Sequence, residues 1–98
     1  MSLLTQNEIE ARLNDLPGWE ILENQLTRTY VSPSFAHAVL FLAAAGQLAE
    51  AAGHHPDFLL RGYNKLTIQL ITHSAGGLTE KDFDLAGQID RLPQKKAK

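Results

Sequence analysis

The stretch from Ser34 to Gly53 constrains this chain more than any other segment. Ser32-Pro33-Ser34 offers a helix start, and Phe35, Val39, Leu42, Gly46, Ala49 and Ala52/Gly53 then recur at helical spacing. Phe41, Ala45 and Leu48 form a second row beside them. The spacing predicts one long helix with a wide apolar face, and its alanines favour helix and permit close approach to a sheet. Gly53 stands where a left-handed C-terminal cap is wanted, and Pro56 prevents the helix from resuming.

Shorter elements flank that helix. Thr5-Gln6-Asn7-Glu8 reads as a capping box, with a first helix running to about Leu16 on an Ile9/Leu13/Leu16 stripe, stopped by Pro17-Gly18. Trp19 to Leu22 and Leu26 to Val31 read as a hairpin turning near Glu23-Asn24-Gln25. Asp57 to Leu60 and Lys65 to His73 are two further strands around an Arg61-Gly62-Tyr63-Asn64 turn. In the second of these, Leu66, Ile68 and Leu70 share one face, while Lys65, Thr67, Gln69, Ile71 and His73 share the other. After the Gly76-Gly77 turn, Thr79-Glu80-Lys81-Asp82 caps a last helix with Phe83, Ala86, Ile89 and Leu92 inward.

The expected fold is α+β in the order α-β-β-α-β-β-α, a four-stranded antiparallel sheet with three helices packed on one face. The open face carries Ile71 and is a plausible subunit interface. At 98 residues the chain is expected to be a single domain over 1–98, with about 94–98 a frayed basic tail containing Lys95-Lys96-Ala97-Lys98. A chain of this size buries roughly 60–65% of its unfolded surface, so oligomerisation would help its stability.

The composition narrows the function classes. No cysteine is present, which removes disulfides, thiolate metal sites and cysteine nucleophiles, and is compatible with the cytoplasm. A formal charge of -2 argues against a general nucleic-acid binder. Met1 to Thr5 has no basic region ahead of an apolar stretch, so no signal peptide is expected. The apolar run Ala38 to Gly46 is too short to span a bilayer, so no membrane role is expected either.

Three of the four histidines lie between Glu50 and His73. Histidine exchanges protons near neutral pH, its unperturbed pKa being about 6.5. His54 and His55 follow the C-terminus of the long helix, whose partial negative charge favours imidazolium. The hairpin from Asp57 to His73 can fold its ends together and bring His73 beside them. In the bland alternative, His54 caps the helix, His55 is solvated and His73 fills a strand position. A zinc site using histidines with Asp57 or Asp82 is a further alternative, but adjacent histidines cannot easily turn both rings onto one ion. Glu50, one turn before His54, can orient a ring. His37 lies off the main stripe and is expected on the surface. Trp19 is either an edge of the core or an aromatic wall for a flat ligand.

The run Glu50-x-x-x-His54-His55-Pro56, then Tyr63-Asn64, Thr72-His73, Gly77-Leu78-Thr79 and Asp82, resembles the pterin-4a-carbinolamine dehydratase family. The resemblance covers nearly the whole chain, from Gly18-Trp19 to Ile89. It implies three helices on one face of a four-stranded antiparallel sheet, and a homodimer or homotetramer. It also implies a cytoplasmic hydro-lyase without cofactor or metal, supporting tetrahydropterin recycling. The substrate would be 4a-hydroxytetrahydrobiopterin or a related pterin, released by an aromatic amino acid hydroxylase and dehydrated to quinonoid dihydropterin by histidine acid/base catalysis.

By the same resemblance His54 and His73 match the acid/base pair, and His55 matches the histidine that holds and polarises the substrate. Asp82 matches a carboxylate near the third histidine, His73, and orients it. The expected substrate-binding residues are Trp19, Glu50, Gly53, Pro56, Thr72, Ser74 and Asp82. Phe58-Leu59-Leu60-Arg61-Gly62 and Ser74-Ala75-Gly76 depart from animal members of the family, at the pocket rim and in the sheet pairing. The competing function is a non-catalytic dimerising or pterin-binding module on the same fold.

Overall fold

Side-chain caps set where the helices begin. In the computed structural model, which describes residues 2–94, helix α1 spans Gln6–Leu13. The Glu8 amide donates to Thr5 Oγ1 (3.2 Å) and the Thr5 amide donates to Glu8 Oε1 (2.8 Å), closing the capping box. α1 stops at Leu13, short of the expected Leu16, because Asp15 and Leu16 donate three residues back to Arg12 and Leu13 and tighten the last turn. Leu16 still reaches the core.

Strands β1 (Glu20–Leu22) and β2 (Gln25–Val31) are joined by two residues, Glu23 and Asn24, at φ +50° and +64°. Two left-handed residues in a two-residue loop match the twist of the strands. Gln25, expected in the turn, already pairs with Leu22. Strands β3 (Asp57–Arg61) and β4 (Lys65–Leu70) form the second hairpin. The sheet order is β1-β2-β4-β3 and every pairing is antiparallel. The register aligns Leu26 with Leu70, Tyr30 with Leu66, Phe58 with Ile68 and Leu60 with Leu66, so one face is apolar. The other face shows Thr29, Val31, Leu59 and Arg61, all exposed.

Helix α2 (Phe35–Ala52) starts at Ser34, whose Oγ accepts from the His37 amide at 3.1 Å. Its buried row is Ala38, Phe41, Ala45 and Ala49. The expected leading stripe is corrected here, since Phe35 is 56% exposed and Val39 40%. Three of the four buried positions are alanine, and small side chains are what allow a helix backbone to lie close to the sheet. By length and composition α2 could cross a membrane, an outcome that the short run Ala38 to Gly46 did not suggest. In this fold its small-residue row packs onto the sheet and α3 instead.

Helix α3 (Glu80–Asp90) buries Asp82, Phe83, Leu85, Ala86 and Ile89. Leu92 lies beyond the helix end and still packs on the core. The basic tail from residue 95 onward lies outside the described residues.

Candidate active site

The end of α2 decides where the first two histidines go. Gly53 adopts φ +63° and ψ +30°, its amide donates to Glu50 O and the His54 amide donates to Ala49 O, both at 3.1 Å. This pair of bonds is a Schellman cap, which only a residue tolerant of the left-handed region closes without strain. Pro56 then holds the chain extended into β3. The cap turns His54 inward, to 9% exposure, and leaves His55 outside.

His54 Nε2 lies 2.6 Å from Asp82 Oδ1. Asp82, in the first turn of α3, is 0% exposed. Its Oδ2 accepts from Thr72 Oγ1 at 2.8 Å and from the Thr79 amide at 2.9 Å. Thr72 Oγ1 and Thr79 Oγ1 are 2.8 Å apart. A buried carboxylate needs this many donors to offset the loss of water.

The expectation that Asp82 orients His73 is corrected: its ring partner is His54. The reason is tertiary, because α3 packs against α2 and brings its first turn to the capped end of that helix. Glu50 also has a different partner from the one its spacing suggested. Glu50 Oε1 is 2.8 Å from His55 Nε2, and both side chains are largely exposed, so water weakens the pair.

β4 ends at Leu70, and His73 is therefore not a strand residue as expected. Thr72 bridges to Gly77, and His73–Ala75 form a 3₁₀ turn closed by Gly76 at φ +77°. His73 and Ser74 are exposed on that turn. Because Asp57 pairs with Gln69, the segments before Asp57 and after Gln69 leave the same end of the hairpin. Thr72, one residue before His73, reaches the Asp82 that holds His54. Gly53 and Pro56 shape the connection rather than offering side-chain donors. Thr79 was read from sequence as a cap and as part of the Gly77-Leu78-Thr79 run, with no site role; the signal for more was its place three residues before Asp82.

Trp19 lies in another cluster. It is 5% exposed, and its Nε1 donates to both oxygens of Asp90 at 3.1 and 3.0 Å. Its ring meets Tyr30 edge-on, with centroids 6.3 Å apart. Asp90 also accepts from Tyr30 Oη, and from Arg28 Nη1 at 3.0 Å. Burial and the Asp90 carboxylate push the Tyr30 phenol well above its usual range. No hydrogen bond of Trp19 leads to His54, His55 or His73. Tyr63 and Asn64 are turn residues: Tyr63 has φ +58°, and Asn64 Nδ2 donates to Ser32 O at 2.9 Å. His37 is exposed, with its ring beside Ser34 Oγ. A groove of about 610 Å³ lies between β2 and α2, against Tyr30, Leu40, Phe41 and Leu92, and none of its lining residues is one of the three site histidines.

The chain can be set beside known proteins at this point. A family model described as Pterin 4 alpha carbinolamine dehydratase matches residues 2–92. A Roseiflexus castenholzii protein provisionally named a pterin-4-alpha-carbinolamine dehydratase is 53% identical over 91 residues, covering 93% of this chain and 97% of that one. A Picosynechococcus protein of the same provisional name is 47% identical, covering 91% of this chain and 96% of its own. The crystal structure of a transcriptional coactivator/pterin dehydratase from Brucella melitensis superposes with TM-score 0.83 at 34% identity, covering 89% of this chain and 94% of that chain. A pterin dehydratase-like protein identified as a RuBisCO assembly factor in the alpha-carboxysome shares the fold, with TM-score 0.65 at 24% identity, over 83% of this chain and 95% of its own. The match along nearly the whole length shows that the chain belongs to the pterin 4 alpha carbinolamine dehydratase family.

Proposed function

We propose that the chain is a 4a-hydroxytetrahydropterin dehydratase working by histidine acid/base catalysis. The observation that carries this reading is the buried His54–Asp82 pair at the hairpin end from which His55 and His73 emerge. A buried imidazole clamped by a carboxylate is a costly arrangement that packing alone does not require.

In the reaction, a base removes a proton from a pterin ring nitrogen. The nitrogen electrons form a double bond to carbon 4a, the carbon–oxygen bond breaks, and an acid protonates the leaving hydroxyl. Water and quinonoid dihydropterin result, and one proton in balances one proton out. His54 and His73 serve as the acid/base pair, and His55 holds and polarises the substrate. Such groups contribute about 10²–10⁴-fold each. The substrate would come from an aromatic amino acid hydroxylase. Val31, Leu59 and Leu22 on the open sheet face, 44%, 54% and 46% exposed, support an assembly larger than a monomer.

The second reading is a non-catalytic dimerising or pterin-binding module, favoured by the neighbour described as an assembly factor. One experiment separates the two. A hydroxylase generates 4a-hydroxytetrahydropterin, and its decay is followed spectrophotometrically with and without the protein. The dehydratase accelerates decay, and His73→Ala removes most of the acceleration. Folded wild-type protein that binds a dihydropterin without speeding decay would establish the binding module instead.

A further inference from the structure

We infer that Thr72 is a positioning residue which, through Asp82, commits His54 to carrying its proton on Nε2 and leaves Nδ1 as the atom that exchanges protons with substrate. This deepens the dehydratase reading and rests on it for the identity of the reaction.

The assignment follows from counting protons. Thr72 has one hydroxyl proton, and it is given to Asp82 Oδ2 at 2.8 Å. In the 2.8 Å contact between the two threonine hydroxyls, Thr79 must therefore be the donor. The chain of donation runs one way, from Thr79 to Thr72 to Asp82. Oδ2 also receives the Thr79 amide, so Oδ1 faces His54 Nε2. An imidazole is a stronger base than a carboxylate, and a proton shared between them rests on nitrogen. Nε2 is thus the N–H end of the ring in both the neutral and the charged form.

Nδ1 is left for chemistry. It has no hydrogen-bond partner among the described residues. His54 as a whole keeps 9% exposure, so the ring is not sealed from solvent. The residue stands at the hairpin end from which the segments carrying His55 and His73 also leave. The Thr72 hydroxyl, expected from resemblance to touch substrate, is spent on Asp82 and only 4% exposed. Its contribution is to aim a base rather than to bind.

The test reads the ring directly. Long-range ¹⁵N–¹H spectra of the substrate-free protein, with His54 signals assigned by their loss in His54→Gln, should show a protonated Nε2 and a bare Nδ1 in the neutral ring. Thr72→Val keeps the shape and removes the donor. With Asp82 Oδ2 then held by the Thr79 amide alone, it should shift the His54 Nε2–H signal and lower kcat about tenfold or more while KM changes little. Thr72→Ser should restore both. A wild-type ring protonated on Nδ1, an unchanged spectrum in Thr72→Val, or a Thr72→Ser protein that behaves like the valine variant would overturn the assignment. The spectrum needs no turnover, so an inactive protein with the expected tautomer would retain the positioning role and remove only the dehydratase.

Discussion

Helix α3 carries a buried or half-buried carboxylate at each end, Asp82 and Asp90, roughly 12 Å apart along the axis. Each collects several donors, yet the donors differ in kind. Asp82 holds an imidazole, a hydroxyl and an amide, and the imidazole reaches the surface. Asp90 holds an indole, a phenol and a guanidinium, none of which titrates near neutral pH. The second cluster ties the first hairpin to the end of α3. In the proposed reading the first prepares a group that can move a proton. A satisfied polar cluster is therefore not by itself a sign of catalysis; what sets the first apart is its imidazole.

The largest effect is expected at the first cluster. His54→Gln keeps an N–H donor for Asp82 and removes the imidazole. Turnover should fall by about 10²–10⁴-fold, with chemical denaturation showing stability changed by no more than about 1 kcal/mol. A variant that keeps its rate would break the distinction between the clusters.

The mirror experiment is Asp90→Ala. It strands the Trp19, Tyr30 and Arg28 donors and should cost about 3 kcal/mol in urea unfolding, while the rate per folded molecule stays near wild type. A large loss of rate with little loss of stability would move Asp90, and Trp19 with it, into the working site.

Tyr30 sharpens the comparison through pH. Its phenol is raised in the folded state, so its neutral form is favoured by folding. That stabilisation is complete below the unfolded value of about 10 and is lost as pH rises above it, because the unfolded chain then releases the proton while the folded chain does not. Thermal melts should fall between about pH 10 and 11, and Tyr30→Phe should flatten the fall. The smallest effect belongs to Gly53→Ala. Nothing lies within 4 Å of the added Cβ, so only the left-handed backbone is penalised, by about 1 kcal/mol in equilibrium unfolding.

Local signals carried much of this structure. The Thr5/Glu8 box, the Ser34 start and the Gly53 cap are contacts within a few residues, and sequence reports such contacts well. The α2 face was misread because Phe35 and Val39 are larger and more apolar than the alanines that are buried. Hydrophobicity points to the bulky row, whereas close helix–sheet approach selects the small one. The histidine pattern was legible, but its pairings were not. Spacing offered Glu50 to His54, and the family resemblance offered Asp82 to His73; packing gives Glu50 to His55 and Asp82 to His54. The capped turn at Gly53 separates the two adjacent histidines, one in and one out, and only the assembled α2–α3 contact decides which carboxylate each meets. Trp19 beside Pro17-Gly18 gave no hint of Asp90, some seventy residues on.

The most direct test of the account is the first-order decay rate of enzymatically generated 4a-hydroxytetrahydropterin, measured with equal amounts of folded wild type, His54→Gln and Asp90→Ala. The account predicts strong acceleration by wild type, retained in Asp90→Ala and lost in His54→Gln. No acceleration by folded wild type, or equal losses in the two variants, would contradict it.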